Sequence, residues 1–408
     1  MGIYFASFRH RPGCVAACFL CSLLSAPLLT AGAARAQAGF AGGPAGGDAP
    51  FPLSVQKPVD PPESAPRWAF SAETLVLGRW GGANQTLVAR VPGNTPFVTV
   101  PPTPGYDSAT YPGVAALNSD QFREGFSAGP KLSLTYRDDS VYGVELSYFD
   151  VLGLSAATAI GPDNPPDWLV MKAPGSFWQT QDFPYQAMAW GDSTSLYSAE
   201  VNGRLDLSSR LTLLGGLRWL QLDDELVGSL TPADRTAPDW KLPCSSYALD
   251  NLSTCPPLYY PGGRAGSYPP FWQTNTKNNL YGAQIGVDAK LLELGRFSLG
   301  GLIKAGVFDN NAEQTTVVSM TKKLFTAQAA TNRAAFVSQA DLELKYQLTR
   351  GLTFKAGYEL LWLDGVALAA GQIQETYTTS APSARALGVN SGSSVLFQGA
   401  TVGLEFSF

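Results

Sequence analysis

The residues able to do chemistry are unevenly spread along this chain. The single histidine is His10, inside an N-terminal apolar run, so the chain beyond it has no imidazole to serve as general base or metal ligand. That excludes hydrolases built on a histidine, and neither a catalytic residue nor a cofactor or metal is expected. Cys244 and Cys255 lie in one loop, at a spacing that does not make a zinc site. If Cys14, Cys18 and Cys21 leave with an export signal, an even pair remains. It is suited to a disulfide-closed loop in an oxidising compartment, the alternative being two free thiols. Asp223-Asp224-Glu225 is an acidic cluster at a strand end, to be read either as a weak Ca²⁺ ligand set or as a solvated end. Gly81-Gly82 and Gly262-Gly263 are turn residues rather than phosphate loops, since neither is followed by the Lys and Ser/Thr of such a loop.

The richest polar set emerges from side-chain alternation. Lys131, Glu145, Glu200, Arg204, Arg218, Asp288, Lys304, Asp341, Glu343, Lys355 and Glu359 fall on one face of their strands, together with Glu73, Asp206, Glu405, Arg137, Arg210, Lys290, Arg296 and Lys345. Positive and negative groups nearly cancel. Facing a common interior, they would line either a hydrated lumen with little charge preference or one plugged by its own salt bridges. Asp341, Glu343 and Lys345 are expected to pair with Lys355 and Glu359 on the adjacent strand.

The elements that must position these groups are strands. In the last fourteen residues, Leu396, Ala400, Val402, Leu404, Phe406 and Phe408 alternate with Val395, Gly399, Thr401, Gly403, Glu405 and Ser407, a period of two. Similar segments run over about 68–78, 126–137, 140–150, 194–207, 210–222, 279–291, 296–308, 333–347, 351–362 and 395–408. Most exceed the strands of soluble sheets and match the length needed to cross a bilayer at a tilt. Short gaps at Asp138-Asp139, Ser208-Ser209, Leu292–Gly295 and Leu348–Arg350 alternate with long ones at 79–125, 151–193, 223–278, 309–332 and 363–394. This wiring predicts a closed antiparallel transmembrane β-barrel of about ten strands, or twelve if the 223–278 loop hides two more. Short periplasmic turns would lie at one end and long outer loops at the other. Outward aromatic residues fall into two bands. One holds Trp68, Phe70, Tyr136, Tyr142, Phe297, Tyr346, Phe406 and Phe408. The other holds Tyr148, Tyr197, Trp219, Tyr281, Phe336, Tyr358 and Trp362. Aliphatic residues lie between the bands, as in a barrel seated in lipid.

Residues 1–36 have the layout of an export signal: Arg9, His10 and Arg11, then an apolar core, then Ala34-Arg35-Ala36. Residues 37–66, rich in Pro, Gly and Ala, form a linker, and 67–408 the barrel. Charged residues make up only 15% of the chain, and the formal net charge of -5 offers no basic surface to nucleic acid. The expected partners are outer-membrane lipid, small solutes, and the barrel assembly machinery, to which the C-terminal strand with Phe408 would act as the assembly signal.

Several segments resemble the Putative beta barrel porin-7 family: Ser71-Ala72-Glu73, Gly216–Leu226, Asn279–Leu291, Gly357–Val366 and Leu396–Phe408. The resemblance covers most of the chain after residue 67 loosely, and implies an outer-membrane location and a porin-like role without catalytic residues. The Ala-Leu-Ala-Ala after Val366 departs from the family's continuation. The expected function is a passive pore for small polar solutes, the alternatives being a non-conducting surface or interaction scaffold and a secreted soluble β-protein.

Overall fold

The computed structural model describes residues 67–92, 113–138, 141–161, 167–173, 185–232, 270–320, 323–378 and 384–408. The leader 1–36, the linker 37–66, Cys244, Cys255 and Gly262-Gly263 lie outside them. Fifteen strands follow in chain order: β1 (Trp68–Gly81), β2 (Thr86–Val91), β3 (Val114–Asn118), β4 (Ser127–Arg137), β5 (Tyr142–Ile160), β6 (Trp168–Met171), β7 (Tyr185–Ser208), β8 (Leu211–Pro232), β9 (Phe271–Leu294), β10 (Phe297–Met320), β11 (Lys323–Thr349), β12 (Leu352–Val366), β13 (Thr376–Thr378), β14 (Ala384–Ala386) and β15 (Ser393–Ser407).

Ten of these close a ring: β1, β4, β5, β7, β8, β9, β10, β11, β12 and β15, each antiparallel to its neighbours. The seam joins β15 to β1, and its last rung is a reciprocal pair, Trp68 N to Phe408 O at 3.0 Å and Phe408 N to Trp68 O at 2.9 Å. Closure leaves the ring no free edge, which a bilayer demands of a sheet. All ten expected strands are present, and among the described residues the ring has no eleventh or twelfth member. The short sheet β3-β2-β6 continues from β7, and β13 pairs with β14.

Five strands run well past the expected ends. β7 to β11 span 22 to 27 residues. In the segment 309–332, expected as a loop, residues 309–320 and 323–332 instead continue β10 and β11 as a paired ladder whose last rung joins Met320 to Lys323. β5 also continues, to Ile160, through a bulge. Val151 and Leu154 are both buried inward, while Leu152 and Gly153 between them are exposed, with Gly153 at φ 75°. Only glycine adopts that conformation without strain.

The outer wall carries the two aromatic bands as ring contacts. Trp68–Tyr136 (4.7 Å) and Phe297–Tyr346 (4.5 Å) lie near the short turns; Trp80–Phe126 (5.6 Å) and Phe336–Trp362 (5.9 Å) lie toward the other end. Leu217, Ile285 and Ile303, between the bands, are 63%, 74% and 65% exposed. Phe70 and Trp80 share one face of β1, and the segment between them spans about 25 Å for a strand tilted by roughly 40°. That is the height of an apolar band in an outer-membrane barrel.

Candidate functional site: the barrel interior

From the short-turn end upward, the bore is filled in layers. The first is ionic. Lys355 Nζ, on β12, lies 2.7 Å from Glu73 on β1, 2.6 Å from Glu343 on β11 and 3.8 Å from Glu405 on β15. Lys345 lies 3.2 Å from Glu405 and 3.4 Å from Glu343. Glu200 accepts Lys304 at 2.5 Å and Gln284 at 2.6 Å, with Arg218 Nε 3.9 Å away. Arg218 also donates to Ser198 at 3.0 Å and Gln339 at 2.7 Å. Arg204 bridges Glu145 and Asp288, the latter at 2.8 Å.

The eleven residues proposed from sequence to line the lumen all make ion pairs in this layer. One pairing differs from expectation. In register, Lys345 faces Lys355 and Asp341 faces Glu359, so across this hairpin like charges oppose and repel. Within the hairpin the expected pair Glu343–Lys355 forms on the diagonal at 2.6 Å, and the rest of the compensation comes from elsewhere in the ring. Lys131, on β4, reaches Glu359 at 2.6 Å and Asp341 at 3.9 Å.

Above the ions lies an apolar belt. Leu75, Leu77, Phe149, Val151, Leu154, Leu196, Leu220, Leu222, Leu280, Phe308, Ala335, Val337, Leu361, Leu363, Val395 and Phe397 form one cluster, none more than 4% exposed. Every ring strand except β4 contributes. The sequence reading did not anticipate this belt, because it weighed the inward face by its charges and passed over the leucines interspersed among them.

A lid covers the belt. At the end of β12 the chain turns inward at Gly365 (φ 81°) and crosses the bore. Asn278 on β9 donates to Ala367 O at 2.8 Å and accepts Ala367 N at 2.7 Å. Asn310 on β10 donates to Gly365 O at 3.0 Å, and Asp224 on β8 accepts Ala369 N at 2.8 Å. The 3₁₀ turn Ala369–Gln372 is entirely buried. Asp224 therefore points inward while Asp223 and Glu225 point out, so the acidic cluster noted in the sequence is split between two sides of the wall and cannot hold one ion.

Beside the lid, Arg79 Nη1 gathers Glu124 (2.7 Å), Asp224 (2.7 Å), Asp192 (3.2 Å) and Thr194 (2.5 Å). This ties the segment before β4 into the bore. Burial pushes the Glu124 carboxyl above the usual carboxylate range, against the opposing pull of Arg79. Sequence reasoning missed Arg79, although it continues the odd-numbered inward series Ser71, Glu73, Leu75, Leu77. A second apolar cluster, with Trp168, Trp190, Trp272, Met188, Leu226 and Ile373, fills the upper bore.

Residues 261–408, a span that holds β9 to β15, match the family described as Putative beta barrel porin-7, the family the sequence segments resemble. Among solved structures, the outer membrane protease OmpT from Escherichia coli aligns over 84% of this chain and 97% of its own, at 9% identity and a TM-score of 0.45. The toluene transporter TodX from Pseudomonas putida aligns over 84% and 90%, at 10% identity and a TM-score of 0.33. A Pseudomonas aeruginosa FadL homologue aligns over 84% and 90%, at 10% identity and a TM-score of 0.27. Values this low carry nothing about activity. No curated protein matches the chain. The closed ring, its lipid-facing wall and the family match make this an outer-membrane β-barrel protein.

Proposed function

We propose that the protein works as a sealed outer-membrane barrel that holds its tall outer wall and rim at the cell surface as an interaction scaffold. The observation that carries this reading is the apolar belt, built by nine of the ten ring strands and at most 4% exposed. A hydrated ion crossing it would shed water with no polar partner to replace it, at a cost of several kcal/mol. The belt is built on strand residues, and the lid's Leu368 completes the same cluster. Planar-bilayer recording of the folded full-length protein tests this. The expected result is an absence of channel events, and steady conductance would overturn it.

A second reading, a passive pore for small polar solutes, is favoured by the way the lid is held. It is attached to β8, β9 and β10 by side-chain hydrogen bonds rather than by strand pairing. Under this reading wild-type protein conducts, and Asn278→Leu raises the open fraction. The exposed C-terminal Phe408, at 70%, is proposed as the signal read by the barrel assembly machinery. Phe408→Ala should then slow assembly without lowering the stability of barrels already folded.

A further inference from the structure

The outer wall holds a polar concavity where lipid head groups lie. Two lateral rungs cross four strands. In the first, Ser195 (β7), Asp223 (β8), Lys277 (β9) and Glu313 (β10) stand side by side; in the second, Ser193, Glu225, Asn275 and Thr315 do the same. Together they line a cavity of about 360 Å³, within the range of small-ligand sites (roughly 300–1,000 Å³).

Its depth follows from register. Trp219 pairs with Tyr281 in the outer aromatic band, and Asp223 pairs with Lys277 further out along the same strands. At ~3.3 Å per residue and the tilt of such strands, the first rung sits ~10 Å above the band, in the head-group layer.

The lining narrows the ligand chemistry. Three carboxylates surround one ammonium, which disfavours an anion such as phosphate, while Lys277 at the centre disfavours a metal ion. Among the described residues Lys277 has no carboxylate within ion-pair distance, although one stands on each side of it. Asp223 Oδ2 accepts Gln221 at 2.7 Å and Glu225 accepts Gln273 at 2.6 Å. Asp223 Oδ1 is enclosed without a hydrogen-bond partner. One enclosed acceptor without a donor, beside further carboxylates, hydroxyls, an amide and one ammonium, suits a ligand that both gives and takes many neutral hydrogen bonds.

We propose that this concavity binds the saccharide head group of an outer-leaflet glycolipid. The site does not depend on whether the bore conducts. The test uses full-length protein folded in a detergent without sugar, titrated with delipidated core oligosaccharide of lipopolysaccharide and read by calorimetry. Saturable binding is expected, weakened about tenfold or more by Glu313→Gln or Lys277→Gln, as loss of hydrogen bonds to a charged group implies. Both residues are exposed, and gel mobility of unboiled samples verifies that the variants fold. Intact lipopolysaccharide in vesicles should bind more tightly than the free oligosaccharide if the lipid is the source; equal affinity would shift the assignment to a free sugar and overturn the glycolipid. Binding unchanged in both variants, no binding, or preference for inorganic phosphate would each overturn the site.

Discussion

The same strands build two regions of opposite polarity. Between the aromatic bands, β7 and β8 face outward with Val201, Ala199 and Leu217 and inward with Asn202, Glu200 and Arg218. Beyond the outer band, they face outward with Ser195, Ser193, Asp223 and Glu225 and inward with Trp190, Met188, Leu226 and Leu230. The backbone, ladder and alternation do not change; the solvent does. Below, hydrocarbon takes the apolar side and the ions must satisfy one another inside. Above, water takes the polar side and the bore becomes an ordinary hydrophobic core.

Substitutions in the two regions should break this comparison in different ways. The largest effect is expected at Lys355. Lys355→Ala leaves Glu73 and Glu343 facing each other in the bore and should cost about 3–5 kcal/mol, measured by urea unfolding in vesicles. Next comes one substitution at two heights on β10. Ile303→Lys, between the bands, should cost about 2–4 kcal/mol, whereas Asn311→Lys, exposed above them, should stay within ~0.5 kcal/mol. Equal costs at the two positions would refute the inversion. Asn278→Ala, which leaves Ala367 N without its acceptor and Ala367 O with Thr276 as its remaining donor, should cost about 1–3 kcal/mol and increase protease access to residues 366–376.

The smallest effect is that of pH on the upper region. Because burial raises the native pKa of Glu124, the folded state binds its proton more tightly than the unfolded chain does. Its contribution to stability is greatest in acid and declines as pH rises from the ordinary carboxylate range through the raised native value. Glu124→Gln should flatten that slope in thermal unfolding scans.

The inversion also explains how much of the molecule was legible in the sequence. Strand centres, ring order, the short-turn end and the inward charges follow from alternation alone, because one face stays apolar over the whole membrane crossing. Past the outer band the apolar residues change faces. An alternation read as apolar-out therefore loses its phase near Leu222 and Phe308, and the strands were expected to end there. The lid was hidden for another reason. Ala-Leu-Ala-Ala has no period, and its partners Asn278, Asn310 and Asp224 lie far from it in sequence. Arg79 lay one residue past the expected end of β1. Lys131 could be placed on the inward face, but only the curvature of the closed ring brings it to Asp341 and Glu359.

The bulge in β5 makes Leu152-Gly153 a place where the wall carries one residue more than its ladder uses. Because Val151 and Leu154 already face the belt on either side of it, a chain lacking Gly153 would still alternate correctly into the outer half of the strand. A β-branched residue at 153 could not hold the φ of 75°; the surplus would have to be absorbed by slipping, turning everything from Leu154 to Ile160 inside out. At this point the barrel should tolerate losing a residue better than exchanging one.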